Sequence, residues 1–126
     1  MRIENIHHVQ LPYPPGRQSE ARHFYGEILG LRELPRPAAL ADRPGLWYDL
    51  GGGQQLHLLE IAGDAASPSY HFGLLVPDLA ALHVHLAAHA VPVDDKRPFP
   101  DHHLIRALLH DPFGNAIELL QRTPGT

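Results

Sequence analysis

The chain has 126 residues and no cysteine. Disulfides, thiolate nucleophiles and cysteine-bound zinc are therefore excluded, and iron–sulfur clusters and Cu(I) are disfavoured. Long apolar runs are also missing. None approaches the roughly 20 residues that span a bilayer. The start, Met1-Arg2-Ile3-Glu4-Asn5, has no apolar stretch behind its basic residue, as a signal peptide requires. The expectation is a cytoplasmic protein without membrane contact. No strong excess of one charge exists: the formal net charge is -4 and charged residues make up 19%. That balance gives no electrostatic footprint for nucleic acid or anionic lipid. At 44% hydrophobic residues, the composition is that of a globular domain with a modest core.

What is abundant is histidine, 11 in all, and what is ordered is a repeat. The two halves carry the same signals in the same sequence. Each opens with a short apolar strand, Ile6-His7-His8-Val9-Gln10-Leu11 in the first and Tyr70-His71-Phe72-Gly73-Leu74-Leu75-Val76 in the second. An amphipathic helix follows. Ala21, Phe24, Tyr25, Ile28 and Leu29 share one helical face, and Gly30 sits where a helix-terminating residue belongs. In the second half Asp78 is the N-cap, with Leu79, Leu82 and Leu86 on one face. Strands are expected near 31–36, 46–50 and 55–60, and again near 91–94, 104–110 and 115–121. Turns at Asp49-Leu50-Gly51-Gly52-Gly53 and Asp111-Pro112-Phe113-Gly114-Asn115 close the last hairpins. The predicted fold is α+β, one domain over 1–126. Two βαβββ modules, 1–61 and 70–122, are joined by a Gly/Ala/Ser/Pro-rich linker at 62–69, and their mixed sheets form a cup.

Strand side chains alternate between faces. In the first strand Val9 and Leu11 oppose His8 and Gln10. In the strand at 55–60, Leu56 and Leu58 oppose Gln55 and His57. Phe72 and Leu74 oppose His71, and Ile117 and Leu119 oppose Glu118. Each of four strands thus has one apolar face for its helix and one metal-capable residue on the other. His8 and His57 are 49 residues apart, and His71 and Glu118 are 47 apart. A carboxylate placed between Ile117 and Leu119 calls for a partner charge or a cation. The predicted metal ligands are His8, His57, His71 and Glu118, a set that suits Zn, Ni, Fe, Mn or Co. Octahedral coordination would leave room for a bidentate substrate beside these ligands.

Several stretches bring a family into view. Ile6-His7-His8-Val9-Gln10-Leu11, His23-Phe24-Tyr25-Gly26-Glu27-Ile28-Leu29-Gly30-Leu31, Gln55-Leu56-His57-Leu58, His71-Phe72-Gly73-Leu74 and Asp111-Pro112-Phe113-Gly114-Asn115-Ala116-Ile117-Glu118-Leu119 cover nearly the whole chain. In order and spacing the chain resembles the vicinal oxygen chelate superfamily, which includes glyoxalase I, bleomycin resistance proteins, extradiol dioxygenases, epimerases and fosfomycin-resistance enzymes. The resemblance implies paired βαβββ modules with a metal between them, and often a homodimer. It carries ligand positions onto His8, His71 and Glu118. The remaining position, often Glu or Gln in glyoxalase-type members, is here His57, a departure from glyoxalase I proper. Fosfomycin-type members carry Thr two residues after the first His, where this chain has Gln10. Antibiotic-binding relatives lack the metal, whereas this chain retains every ligand position.

Other residues have weaker claims. Gln10, Trp47, Tyr48, Arg106 and His103 are candidates for the substrate pocket, with one of Trp47 and Tyr48 facing it and the other the helix. Arg106 is a candidate anchor for a substrate carboxylate or enolate. His102 and His103 lie in a loop that would flank the cup, where exposed polarity is the simpler account. His7 is expected to point away from His8. His83, His85 and His89 are expected on the solvated side of the second helix, and specificity is assigned to loops 36–45 and 95–103. The functional expectation is a divalent-metal-dependent lyase or isomerase, with Glu118 or His57 as proton carrier. Its substrate is a small molecule that chelates the metal through vicinal oxygens. The alternatives are an extradiol-type dioxygenase using His8, His71 and Glu118, and a non-enzymatic protein that sequesters a small molecule.

Overall fold

Among the described residues, eight strands and two α-helices follow one another in the order the repeat implies. They are β1 (His8–Tyr13), α1 (Gln18–Arg22), β2 (Arg32–Leu34), β3 (Gly45–Gly51), β4 (Gln54–Glu60), β5 (His71–Leu75), α2 (Leu79–Ala88), β6 (Asp94–Phe99), β7 (Leu104–His110) and β8 (Ala116–Arg122). This computed structural model describes residues 1–63, 66, 69–99 and 103–124, with backbone alone at 97–99. His102 and part of the 62–69 linker lie outside the described residues. The chain divides into two compact units, Met1–Ala66 and Ser67–Thr126.

Both units build the same sheet. The strand order is β1-β4-β3-β2 in the first and β5-β8-β7-β6 in the second. In each, the first strand runs parallel to the last, and the remaining pairs are antiparallel. The α+β fold of two βαβββ units stands.

In the first unit Leu46, Tyr48, Leu56 and Leu58 are buried on one sheet face, with Tyr13, Ala21, Phe24, Tyr25 and Ile28 completing the core. The helix differs in kind from the expectation. Only its first turn is α-helical. From His23 to Ile28 it widens into a π-helix, and the Leu29 amide donates to the Phe24 carbonyl at 2.9 Å. The buried face is nevertheless Ala21, Phe24, Tyr25 and Ile28, and Gly30 ends the element at φ 71°.

β1 begins at His8, two residues after the expected start, and runs on through Pro12 to Tyr13. Pro12 is tolerated because β1 is the outer strand of its sheet, where a missing N–H need not break a ladder. β2 is shorter than expected, since Pro35 cannot donate to β3.

In the second unit Leu79 and Leu86 of α2 are buried with Ala107, Leu109, Ala116, Ile117 and Leu119. The Asp78 carboxylate caps α2, accepting from the Ala81 amide at 2.9 Å. The strand expected near 91–94 starts at Asp94 instead. Val91 belongs to the helix end: its amide donates to the Leu86 carbonyl at 2.9 Å, after Ala90 turns left-handed at φ 58°.

Candidate functional site

The face of the first sheet opposite α1 carries an aromatic stack. Trp47 on β3 is the cross-strand partner of His57 on β4, and Gln10 on β1 lies opposite His57 on the other side. This register puts the Trp47 indole flat on the His57 imidazole, 4.0 Å between centroids and 2° between planes. His8 stacks on His57 as well, at 4.1 Å and 17°. Sandwiched this way, His57 is only 6% exposed. The Gln55 Oε1 lies 2.8 Å from its Nε2. A carbonyl oxygen only accepts, so Nε2 carries the proton and Nδ1 keeps the lone pair. Burial first, then the neighbouring His8, His7 and the Arg36 guanidinium, pull the His57 pKa down to about 4. The ring is therefore neutral at pH 7.

His7 does not turn away from His8. Their Nδ1 atoms lie 2.9 Å apart, so one ring donates to the other. Beside the stack is a cavity of about 340 Å³ lined by His7, His8, Gln10, Arg36, Leu40, Arg43, Trp47, His57, Leu58 and Leu59. Trp47 and Gln10 are thus among the residues that line this cavity. Tyr48, one residue on, is on the opposite face: it is fully buried, 6.2 Å from Tyr25. Its hydroxyl has no hydrogen-bond partner among the described residues, and burial pushes its pKa up to about 12.

The second unit brings its own pair together. Glu118 on β8 lies between an imidazole and a guanidinium. The His71 Nε2 is 3.7 Å from its Oε2, and the Arg106 Nη1 is 3.5 Å from the same oxygen. Arg106 thus supplies in part the partner charge that Glu118 calls for. Gly73 is the strand partner of Glu118, and a Cβ there would meet the Leu120 Cδ1 at 2.7 Å. The turn before β8 is locked by Asp111, which accepts from the Phe113 and Asn115 amides at 2.9 and 2.8 Å and from the Asn115 side chain at 2.6 Å. That lock sets the strand on which Glu118 sits.

His103 is exposed in the β6–β7 turn at φ 50°, and its carbonyl accepts from the Thr123 amide. His83 pairs with Asp95 at 3.7 Å, and the His85 and His89 rings lie 4.6 Å apart on α2. Asp95 is in register with Ala107, next to Arg106 on β7.

Each unit therefore presents a pair, and among the described residues no group of three or more His, Asp or Glu side chains is gathered as a cation site. In chemistry the donors suit a divalent cation: a neutral imidazole with one nitrogen fixed by hydrogen bonding, and a carboxylate. In orientation one change is needed. A ligating imidazole holds its ion in the ring plane, and two rings stacked within 17° have no shared point at bonding distance. His57 is clamped by Trp47, so His8, which is exposed, is the ring that must turn if both are to hold one ion.

Three residues were missed by sequence reading. Gln55 was seen only as sharing a face with His57, and Arg36 and Arg43 only as part of loop 36–45. Arg36 carries a weak signal, its place between Pro35 and Pro37.

The sequence profile described as Glyoxalase/Bleomycin resistance protein/Dioxygenase superfamily matches residues 5–119. Among solved structures, a protein from Bacillus anthracis assigned to the glyoxalase family is 34% identical, with 98% of this chain and 100% of that one covered and a TM-score of 0.90. TnmS3, an antibiotic binding protein from Streptomyces sp. CB03234, is 25% identical over 98% of this chain and 99% of its own, with a TM-score of 0.77. Lactoylglutathione lyase from Agrobacterium tumefaciens shares the fold at 18% identity, with 95% of each chain covered and a TM-score of 0.73. No match was found among curated proteins.

Proposed function

Because this chain belongs to the Glyoxalase/Bleomycin resistance protein/Dioxygenase superfamily, we propose that it is a divalent-metal-dependent enzyme of the lyase or isomerase type, acting on a small substrate with vicinal oxygens. The observation that supports this most is the pairing inside each unit: His8 on His57 at 4.1 Å, and His71 beside Glu118 at 3.7 Å. His8, His57, His71 and Glu118 would hold the cation, which supplies Lewis-acid polarisation of the substrate oxygens. A cytoplasmic homodimer is part of this proposal.

The remaining roles fall to the chain itself. Gln55 fixes the His57 tautomer, and Trp47 holds the ring in place. His57 is neutral at pH 7 and has one lone pair, on Nδ1; where that pair holds the cation Glu118 is the proton carrier, and where His57 stays outside the ligand set it accepts the substrate proton itself. Leu40, Leu58 and Leu59 line the cavity and limit water beside the stack. Gln10 offers an amide to a substrate oxygen.

Two other readings have particular support. An extradiol-type dioxygenase needs only His8, His71 and Glu118 as ligands, and leaves His57 in the stack it occupies. A small-molecule binding protein has its support in the likeness to an antibiotic binding protein at 25% identity.

Metal identity measured by plasma mass spectrometry on untagged protein, with oxygen uptake on catechols, tests the proposal. Zinc or nickel at roughly one per chain, with no oxygen uptake, is expected. Iron or manganese with catechol-dependent uptake would replace the lyase reading with the dioxygenase. A metal-free protein without turnover would leave the binding protein.

A further inference from the structure

Apart from Arg2, the arginines of the first unit fall into two groups. Arg17, Arg22 and Arg32 are each paired with a carboxylate, Glu20, Glu33 and Asp49. Arg36 and Arg43 form no ion pair among the described residues, and both line the 340 Å³ cavity, whose lining contains no carboxylate. Arg36 is also held in a particular way. Its guanidinium lies over Gly45, where a Cβ would come within 3.2 Å of both Cζ and Nη2. Its Nε is buried without an acceptor among the described residues. A buried donor left unsatisfied costs on the order of 1–3 kcal/mol, and a guanidinium presents a flat fork matched to a carboxylate or phosphonate.

We propose that Arg36, assisted by Arg43, is the anion-binding element of this cavity, so that its small molecule carries an oxyanion group beside a flat portion lying by Trp47, His57 and His8. This rests on the reading of the cavity as the substrate site, and it adds the charge class of the substrate and the residue that selects it. The shared chemistry is an oxyanion on a planar skeleton, as carboxylate or as phosphonate. Arg36 is a binding and specificity residue and is given no part in proton transfer.

The test uses the full chain in EDTA, so that the outcome does not depend on the metal. Benzoate, phenylphosphonate and the neutral analogue benzamide are titrated while the Arg36 Nε–H and Trp47 indole N–H resonances are followed by NMR. The proposal expects benzoate or phenylphosphonate to shift both resonances, the tighter of the two identifying the anion. Benzamide should bind roughly tenfold or more weakly. Arg36→Gln should lose about tenfold in anion affinity and Arg43→Gln less. Arg36→Lys, which keeps the charge and the fold but not the fork, should show an intermediate loss and decides the matter if the Gln variant does not fold. Equal binding of benzoate and benzamide, binding of none of the three, or unchanged anion affinity in folded Arg36 variants would overturn the inference. A metal-bearing chain with any of those results loses this inference alone. A metal-free chain with the anion preference keeps it while losing the lyase proposal.

Discussion

A buried imidazole beside two other imidazoles and a guanidinium makes native stability depend on pH. The His57 pKa is about 4 in the folded chain, against 6.5 for the free group. Between those values the unfolded chain binds more protons, so stability falls as pH drops through that window and levels off below it. The stabilisation lost amounts to about 3 kcal/mol if the whole shift is realised. Urea denaturation in EDTA at pH 7 and pH 4.5 should show wild type losing about 2 kcal/mol more than His57→Gln. Equal losses would mean that the ring is solvated or already charged in the fold.

Tyr48 gives the opposite sign. Its hydroxyl is buried without a partner among the described residues, so Tyr48→Phe removes an unmatched polar group from a packed site. The variant should be as stable as wild type or more so, by up to about 1 kcal/mol. A loss beyond that, read from the same urea curves, would show that the hydroxyl is bonded. The placement of Trp47 and Tyr48 illustrates what parity can deliver. Alternation required them to face opposite ways, but only the cross-strand register, Trp47 to His57 and Tyr48 to Leu56, decides which faces the pocket.

Elements were legible where periodicity and turn chemistry agreed. α2 was readable from Asp78 and its leucines, and the expected 104–110 strand matches β7. They were misread where a neighbour captured a residue. Val91 looks like a strand opener but is held by the Leu86 carbonyl, and the π-widening of His23–Ile28 leaves the same residues buried as an α-helix would. Apolar spacing cannot tell the two helix types apart over so few turns.

The turns make unequal contributions, and mutation should show it. Asp111 is buried and accepts three hydrogen bonds, so Asp111→Ala should cost at least about 2 kcal/mol, because two backbone donors lose their acceptor. Asp78→Ala removes a single exposed cap and should cost about 1 kcal/mol. Denaturant midpoints compare them directly, and equal effects would contradict the role given to Asp111 in holding β8. Both residues were visible in the sequence, but only coordinates separate a lock from a cap.

For the molecule as a whole, the repeat in the sequence became a repeat in topology. β1-β4-β3-β2 and β5-β8-β7-β6 are one order written twice, and the ligand candidates fall at matching places in both. The pairs inside each unit follow from strand spacing, since a first and a last strand that run side by side bring His8 near His57 and His71 near Glu118. The stacking of His57 between Trp47 and His8 was not legible, because it depends on ring rotation rather than on which face a residue takes. Nor was the Arg36 cradle, which depends on the close approach of its guanidinium to Gly45, nine residues on.

The central claim is that the two pairs serve one cation, and cobalt titration tests it most directly. Metal-stripped, untagged protein is titrated with Co²⁺ while its visible absorption is followed, for wild type, His8→Ala and Glu118→Ala, with the fold of each variant checked by circular dichroism. The account predicts one saturating site of roughly one ion per chain in wild type. Either single substitution, one in each unit, should abolish that same signal. Full cobalt occupancy retained in both folded variants would contradict it.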